Sequence, residues 1–330
     1  MAPPPHAFAC SEEALAFAAF GREEGGLVLR EYRRVALEPG TFQHGLLGGP
    51  PREPRLFTER VEELVSSLET PVKEASLVVP DGWLRTAFAE VSEIPTNGAA
   101  REEVLRWKLK RLVPFRVDEL RVRAVEVAPL AGQEEPRRLL LGFGIESLLS
   151  TLERAFDAAG VHLGRISNQG LSALGALAGQ PTGSTEQEGA LRGLVLVGGG
   201  GYSAVFARAT PDGGEPVLHR FKSFSDALPR EARAGAVRRD MRLTRSFLED
   251  HFPEAPLGGV LLAAPEGESA LWAEWIEHGL GHPVALAFDG PVVAVRTAPD
   301  AAGGAAAGPE RPPWPELLPL AGTVCQEVPG

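Results

Sequence analysis

The sequence is poor in the residue types and patterns that mark several classes of protein. Only two cysteines, Cys10 and Cys325, occur in 330 residues, too few for a disulfide framework and without metal-site spacing. No apolar run approaches the roughly 18 residues that a membrane-spanning helix needs, and the first residues lack the pattern of a signal peptide. These absences predict a cytoplasmic protein that does not span a membrane.

Basic residues and enzyme motifs are also scarce. Lysine and arginine number 33 against 44 acidic residues, a net charge of −11 that argues against a nucleic-acid partner. There is no G-x-S-x-G nucleophile elbow and no convincing pair of carboxylates. No metal-ligand spacing occurs among His219, His251, His278 and His282. The sequence therefore predicts no catalytic residue and no metal ligand.

The residues that are present are typical of a globular protein, with 44% hydrophobic and 23% charged residues and enough length for two domains. Alternation predicts strands over 7–20 and 26–37, and an amphipathic helix over 57–70 with Thr58 as its N-cap. Two strands follow, joined by a turn at Pro80, Asp81 and Gly82.

Residues 92–165 read as a separable α+β unit in the order helix, strand, strand, helix, strand. A helix over 168–179 and a polar linker over 180–190 come next. The later part predicts a long helix with Val237, Met241, Thr244 and Leu248 on one stripe, then strand, helix and strand. Residues 297–315 are rich in small residues and proline, which predicts a surface connection before a short closing helix.

The stretch 193–209 raises the question of a phosphate site. It contains four glycines, Gly198 to Gly201, but alternating residues follow them, so a β-hairpin is predicted rather than the strand–glycine–helix order of common nucleotide loops. Glycines at positive φ can form a nest of N–H groups that accepts an anion. They can equally form only a tight bend.

Residues 76–127 resemble the PilM family, the cytoplasmic actin-like component of type IV pilus machines. The similarity lies in a strand, a Pro-Asp turn, a second strand and a helix of the form E-x-x-x-W-x-x-x-x-x-x-P-F, carried by Trp107, Pro114 and Phe115. The cytoplasmic half of the type II secretion protein GspL and the division protein FtsA are more distantly similar. The order of the predicted helices and strands is similar to that of the PilM family over nearly the whole chain.

The resemblance implies an α/β, two-domain actin-like (ribonuclease-H-like) ATPase fold. It places a first domain at 1–188, with a small α+β subdomain inserted at about 92–165. A second domain with a shortened lid follows at 189–330, and it includes the connection at 297–315. In such folds two β-hairpins clamp the nucleotide phosphates. The resemblance implies that the corresponding residues are Ser11, Gly198, Gly199, Gly200, Gly201 and Ser203.

These implied phosphate hairpins depart from the family pattern. The aspartate of the second loop is absent, since Val197 and Gly198 stand there, and in the first loop Glu12 and Glu13 would repel a phosphate. The third glycine motif is eroded over 263–267, and the segment that would cover the nucleobase is short. The resemblance therefore implies a pseudo-ATPase with vestigial phosphate loops that needs no cofactor. The alternative is an ATP-binding and ATP-hydrolysing member of the superfamily.

The family also implies partners. A groove beside the inserted subdomain would receive the cytoplasmic N-terminal segment of a PilN-like inner-membrane protein, by strand addition or apolar anchors. Other pilus platform proteins and a homo-oligomeric ring are further possible partners. The chain would then lie in the cytoplasm, held at the inner membrane through its partner, in a pilus or type II secretion platform. A polymer-forming FtsA-like role is disfavoured because "CQEVPG" is not an amphipathic membrane helix.

Two features of the predicted helix around Trp107 have more than one interpretation. Trp107 itself either marks a partner site or, more commonly for a tryptophan, caps a core. The basic residues Arg106, Lys108, Lys110 and Arg111 either meet anionic lipid or form a solvated helix face. The basic run 238–245 has the same two interpretations.

Overall fold

The computed structural model describes residues 5–23, 26–43, 47–113, 116–127, 129–130, 136–178, 189–210, 213–225, 227–287, 296–297 and 312–325. Their strands form three sheets. In the part of the chain so described, no helix is both long and apolar enough to cross a bilayer.

The first sheet has six strands and is built around an antiparallel meander. Its order is β14 (Arg296–Thr297), β3 (Gly26–Ala36), β2 (Ala14–Glu23), β1 (His6–Cys10), β4 (Glu74–Val79) and β8 (His162–Asn168). Strands β1, β4 and β8 are parallel, so their carboxyl ends meet at one edge. Helices α1 (Pro54–Ser66) and α3 (Glu146–Ala158) cover one face, where Phe8, Phe57 and Phe156 are fully buried.

A smaller, three-stranded sheet follows β4 in the chain. Its antiparallel order is β5 (Leu84–Val91), β7 (Arg137–Ile145) and β6 (Leu120–Val127), with helix α2 (Gly98–Lys110) on one face. Asn97 caps α2 by accepting from the backbone N–H of Ala99 at 2.9 Å, and Leu105 and Leu109 bury its apolar side.

The second large sheet has the order β11 (Gly213–Ser223), β10 (Gly201–Thr210), β9 (Leu191–Gly198), β12 (Leu257–Ala263) and β13 (Val284–Leu286). Helices α5 (Arg230–His251) and α6 (Ser269–Leu280) pack on one face, and the predicted stripe of Val237, Met241, Thr244 and Leu248 is buried there. Helix α4 (Gln169–Ala178) covers the other face. Helix α7 (Trp314–Cys325) packs on α4 and also closes the back of the first sheet.

Several local predictions are wrong. Residues 7–20 form two strands of a hairpin rather than one strand, because the polar residues 11–13 turn the chain. Thr58 is not an N-cap: α1 begins at Pro54, a residue favoured in the first turn, and the Thr58 hydroxyl donates to the Pro54 carbonyl at 3.0 Å. The hairpin at 191–210 and the helix from 169 are confirmed.

The elements also group differently from their order along the chain. The small sheet takes in β5, which precedes residue 92, while α3 packs against α1 and β8 extends the first sheet. Strand β14 and helix α7, late in the chain, join the first sheet as well. Pro114, Phe115 and most of the segments 180–190 and 297–315 lie outside the described residues.

Candidate functional site

The turn of the first hairpin, between β1 and β2, uses its polar atoms internally. The Ser11 hydroxyl accepts from the backbone N–H groups of Glu13 at 3.2 Å and Ala14 at 3.1 Å. The Ser11 backbone N–H in turn donates to the Ala14 carbonyl at 2.9 Å. Glu12 and Glu13 are exposed. The N–H groups of Ser11, Glu13 and Ala14 are therefore already bonded within the turn.

The glycines of the second hairpin, between β9 and β10, have different roles. Gly199 and Gly200 have φ of 56° and 71°, the conformation of a two-residue hairpin turn with positive φ at both central positions. Gly198 and Gly201 form the closing pair of the ladder. Gly201 is buried, and a Cβ there would lie 2.1 Å from the Lys222 carbonyl oxygen. The turn and the close approach to Lys222 thus account for Gly199, Gly200 and Gly201 without a ligand, whereas a Cβ on Gly198 would meet nothing within 4 Å.

Ser203, two residues beyond these glycines, belongs to a buried polar cluster, the interdomain cluster, formed with Asp81, His219, Thr86 and the Gly170 backbone. Asp81 Oδ1 lies 2.9 Å from His219 Nε2, 3.2 Å from Ser203 Oγ and 3.2 Å from the Gly170 nitrogen. The side chains of Asp81 and His219 are each 2% exposed. These atoms satisfy one another in a site that excludes water.

The cluster is positioned by the ends of several elements. Asp81 follows β4 in a turn closed by the Trp83 N–H on the Pro80 carbonyl. Asn168, the last residue of β8, accepts from the Leu171 N–H at 2.9 Å and so caps α4, which places Gly170 at the cluster. Ser203 comes from β10 and His219 from β11. Three sheets therefore converge at this point.

The cluster does not have the geometry of a Ser-His-Asp triad. In a triad the serine and the carboxylate meet opposite ring nitrogens, whereas here Ser203 Oγ and Asp81 Oδ1 both lie 2.9 Å from His219 Nε2. The other nitrogen, Nδ1, lies 2.7 Å from Thr86 Oγ1. Ser203 is also 4% exposed, so no substrate reaches its hydroxyl.

Asp81 is the residue that the sequence prediction missed. It was interpreted only as a turn former, yet it brings a carboxylate to the second hairpin from the first sheet. The one available signal is its place directly after a buried parallel strand, where ligand sites of open α/β sheets lie. Ser203 is brought into this cluster, whereas Ser11 and the exposed glycines 198–200 have no recorded hydrogen bond to it.

A second buried contact joins the small sheet to the second large sheet. Arg138 on β7 is 4% exposed, and its Nη2 donates to the Val217 carbonyl at 2.8 Å. Its guanidinium lies 4.2 Å from the Phe88 ring centroid and 5.8 Å from that of Phe252. Burial lowers the pKa of Arg138.

A groove of about 590 Å³ lies between the end of β3 and helix α1. Its floor includes Leu37, Phe57 and the half-exposed Leu56, and its rim carries Arg52 and Arg60 together with carboxylates. The rim carboxylates are Glu38, Glu53, Glu59 and Glu63.

The loop beside this groove is fastened to the small sheet. Phe42 packs on Trp83 with ring centroids 4.5 Å apart and the ring planes tilted by 54°, and Leu47 is buried in the core of the small sheet. Gly48, at φ of 68°, passes so close to Trp83 that a Cβ would lie 2.4 Å from the ring. The groove therefore lies next to the small subdomain.

Two further features of the described residues bear on a nucleotide and its metal. Within them, no three His, Cys, Asp or Glu side chains are grouped to hold a metal ion. The loop at 264–268, the third glycine motif, forms a turn with Gly267 at φ of 87° and the Glu268 N–H on the Pro265 carbonyl. Six residues separate Ser223, the end of β11, from Arg230, the start of α5, and the shortened lid stays a prediction.

No family model and no curated protein matches the chain. Solved structures do: a chain of the PilM-PilN type IV pilus biogenesis complex is 15% identical with a TM-score of 0.67, over 89% of this chain and 91% of that one. The cytoplasmic domain of EpsL, an inner-membrane component of the type II secretion system of Vibrio cholerae, matches with a TM-score of 0.49 and 11% identity. The match covers 98% of this chain and 95% of that one. The ethanolamine utilization protein EutJ of Carboxydothermus hydrogenoformans matches with a TM-score of 0.44 and 10% identity, over 98% of this chain and 91% of that one.

The chain therefore has the two-domain actin-like fold, and the resemblance inferred from its sequence is confirmed at the level of the fold.

Proposed function

We propose that this protein is a cytoplasmic structural adaptor in the inner-membrane platform of a type IV pilus or a related secretion system. It would hold the cytoplasmic N-terminal segment of a PilN-like membrane protein and be held at the membrane through it. The observation that carries the proposal is the fold shared with a chain of the PilM-PilN complex over 89% of the sequence. Other platform proteins and further copies of the chain are additional partners in this proposal.

We further propose that the protein is a pseudo-ATPase that uses neither ATP nor Mg²⁺. Three observations support this. In the turn of the first hairpin the N–H groups of Glu13 and Ala14 already bond Ser11, and the turn of the second hairpin carries no carboxylate. The carboxylate that approaches it, Asp81, has one oxygen already surrounded by three donors. Phosphoryl transfer depends on metal and charge positioning that such loops do not supply.

The glycine turn provides a test of this point. Gly200→Ala is expected to lower the free energy of unfolding by about 1 kcal/mol, because Gly200 has a positive φ. Gly198→Ala is the matched control and should have little effect, since its φ is not positive and a Cβ there meets nothing within 4 Å. Denaturant titrations of the three proteins measure both effects.

Thermal melts of the same proteins with and without millimolar Mg-ATP complete the test. We expect no rise in the wild-type midpoint, because a ligand raises apparent stability only if it binds the folded state. A clear rise that Gly200→Ala abolishes would contradict the pseudo-ATPase proposal. Micromolar affinity with measurable turnover would instead favour the rival function, an active ATPase or sugar-kinase relative of this fold.

For the partner segment we propose the groove between β3 and α1. It combines an apolar floor with rim charges of both signs, which suits an extended peptide anchored by apolar side chains. It also lies next to the small subdomain through Phe42, Leu47 and Gly48. Leu56, with 58% of its surface exposed, is the apolar side chain most available for contact.

The groove assignment predicts that Leu56→Asp weakens binding of a PilN-like N-terminal peptide about tenfold or more, since a charge would replace an apolar anchor. Leu243→Asp is the matched control: it makes the same substitution at a leucine 54% exposed on α5 and should leave affinity unchanged. Fluorescence anisotropy with a labelled synthetic peptide measures both. No binding at high micromolar peptide would count against the adaptor, whereas binding that Leu56→Asp leaves intact would rule out only this groove.

A further inference from the structure

The end of helix α2 exposes apolar surface that no described residue covers. Trp107 is 54% exposed and Leu112, in the turn after the helix, is 50% exposed. Leu105 and Leu109 on the opposite side are buried against the small sheet, so the helix already has its core contacts. The interpretation of Trp107 as the cap of a core is therefore wrong, and its exposure needs another explanation.

Cations surround this exposed apolar surface. From residue 106 to residue 112 the chain carries four basic residues and no acidic one. Lys108 Nζ lies 5.4 Å and the Arg111 guanidinium 5.7 Å from the centroid of the Trp107 ring. Arg106 is paired with Glu102 at 2.9 Å, whereas Lys108, Lys110 and Arg111 have no carboxylate within 4 Å among the described residues. Along the helix the nearest acidic residue is Glu103, one turn before Trp107, and Asp118 and Glu119 follow in the short 3-10 helix Val117–Glu119 that contacts α2.

The helix dipole accounts for part of this arrangement only. Basic residues in the last turn of a helix are stabilised by its negative end, which explains Lys108 and Lys110. That effect gives no reason for a tryptophan and a leucine to face solvent beside them. A ring that is apolar in its body, polar at its N–H and flanked by cations is the combination found where proteins meet bilayer headgroups.

We propose that the end of α2, through Trp107, Leu112, Lys108, Lys110 and Arg111, is a contact site for the anionic surface of a phospholipid bilayer. The cations would meet the phosphates while Trp107 and Leu112 enter the headgroup layer. With a net charge of −11 the chain as a whole is repelled by such a surface, so binding must come from a local patch. Direct lipid contact is independent of the partner segment described above.

A second basic helix provides the comparison. Arg239 and Arg242 on α5 are exposed, beside the exposed Leu243. That helix has no exposed aromatic residue, and carboxylates are interspersed along it, including Asp240 and Glu249, which pair with Lys222 and Arg245. Its field is therefore mixed in sign, which favours the end of α2 as the lipid site.

The experiment is flotation of the full chain with vesicles of phosphatidylglycerol and phosphatidylethanolamine in equal parts, against pure phosphatidylcholine. We expect binding to the anionic vesicles only, and weaker binding as salt rises. Lys110→Gln/Arg111→Gln should weaken the partition coefficient roughly 25-fold, at about fivefold for each cation near the surface. Arg239→Gln/Arg242→Gln makes the same change in net charge on α5 and should leave the coefficient unchanged.

Tryptophan fluorescence tests whether the ring itself enters the bilayer. Trp83, Trp272 and Trp275 are buried and Trp314 is partly buried against the core, so the quenching by brominated phosphatidylglycerol that is lost in Trp107→Phe reports the Trp107 ring. Substitution at this exposed position leaves the core intact, which circular dichroism checks. The proposal is overturned if the chain does not float with anionic vesicles or if both double variants lose binding equally. Binding without Trp107-dependent quenching, or equal binding to phosphatidylcholine, also overturns it.

Discussion

Replacing Asp81 by alanine is expected to lower the free energy of unfolding by about 3–5 kcal/mol, because its carboxylate oxygen meets three buried polar groups and each buried group left without a partner costs roughly 1–3 kcal/mol. His219 would keep its Thr86 contact but lose the carboxylate 2.9 Å from Nε2, in a site where its side chain is 2% exposed. Ser203 and the Gly170 N–H would lose an acceptor too. Denaturant titration measures the loss.

The chain supplies a matched control with the same residue types. Asp157 pairs with His162 at 3.7 Å, but their side chains are 58% and 73% exposed. Asp157→Ala is therefore expected to change stability by no more than about 0.5 kcal/mol, because water screens such pairs. If Asp81→Ala and Asp157→Ala lowered the free energy of unfolding equally, the interdomain cluster would not stabilise the fold more than an exposed pair does.

The cluster also bears on the proposed function. It links the turn after β4, the start of α4 and two strands of the second large sheet. In an actin-like enzyme the two domains are joined by a nucleotide held between the hairpins. Here Asp81, which follows a strand of the first sheet, meets Ser203 and His219 of the second large sheet directly, an arrangement that agrees with the scaffold we propose.

Gly322→Ala is expected to lower the free energy of unfolding by about 3 kcal/mol, at the upper end of the cost of overpacking a core. A Cβ on Gly322 would lie 1.8 Å from the Ser172 carbonyl oxygen and 3.1 Å from the Ala176 nitrogen. Both obstacles are backbone atoms of α4, so no side-chain rotation relieves them. Because α7 packs on the first sheet through Leu317 and Leu320, the whole helix would have to shift.

The same substitution at Gly235 provides the control. Gly235 lies inside the long helix α5, and a Cβ there meets nothing within 4 Å. Gly235→Ala should therefore raise stability by about 0.5–1 kcal/mol, the gain from replacing glycine by alanine within a helix. If α4 and α7 are in close contact, thermal or denaturant unfolding should show a lower free energy of unfolding for Gly322→Ala and a higher one for Gly235→Ala. A neutral Gly322→Ala would show that the two helices separate at little cost.

The sequence by itself determined the elements whose signal is local. The spacing of Val237, Met241, Thr244 and Leu248 identified α5 because a helix repeats its buried face every three to four residues. Alternation around the glycines identified the hairpin of β9 and β10, and the resemblance of residues 76–127 to the PilM family indicated the actin-like fold. Helix starts were less reliable, as Thr58 shows, because several residue types compete for the cap.

Only the tertiary structure decided which residues meet. Asp81 is 122 residues from Ser203 and 89 from Gly170 along the chain, and nothing in its own turn indicates either contact. Trp107 had two interpretations, a partner site and the cap of a core, and it is 54% exposed because Leu105 and Leu109 supply the contacts of α2 with the small sheet. Periodicity specifies which side of an element is apolar, whereas the partners of each side depend on how distant elements pack. For that reason the fold could be predicted here and the interdomain cluster could not.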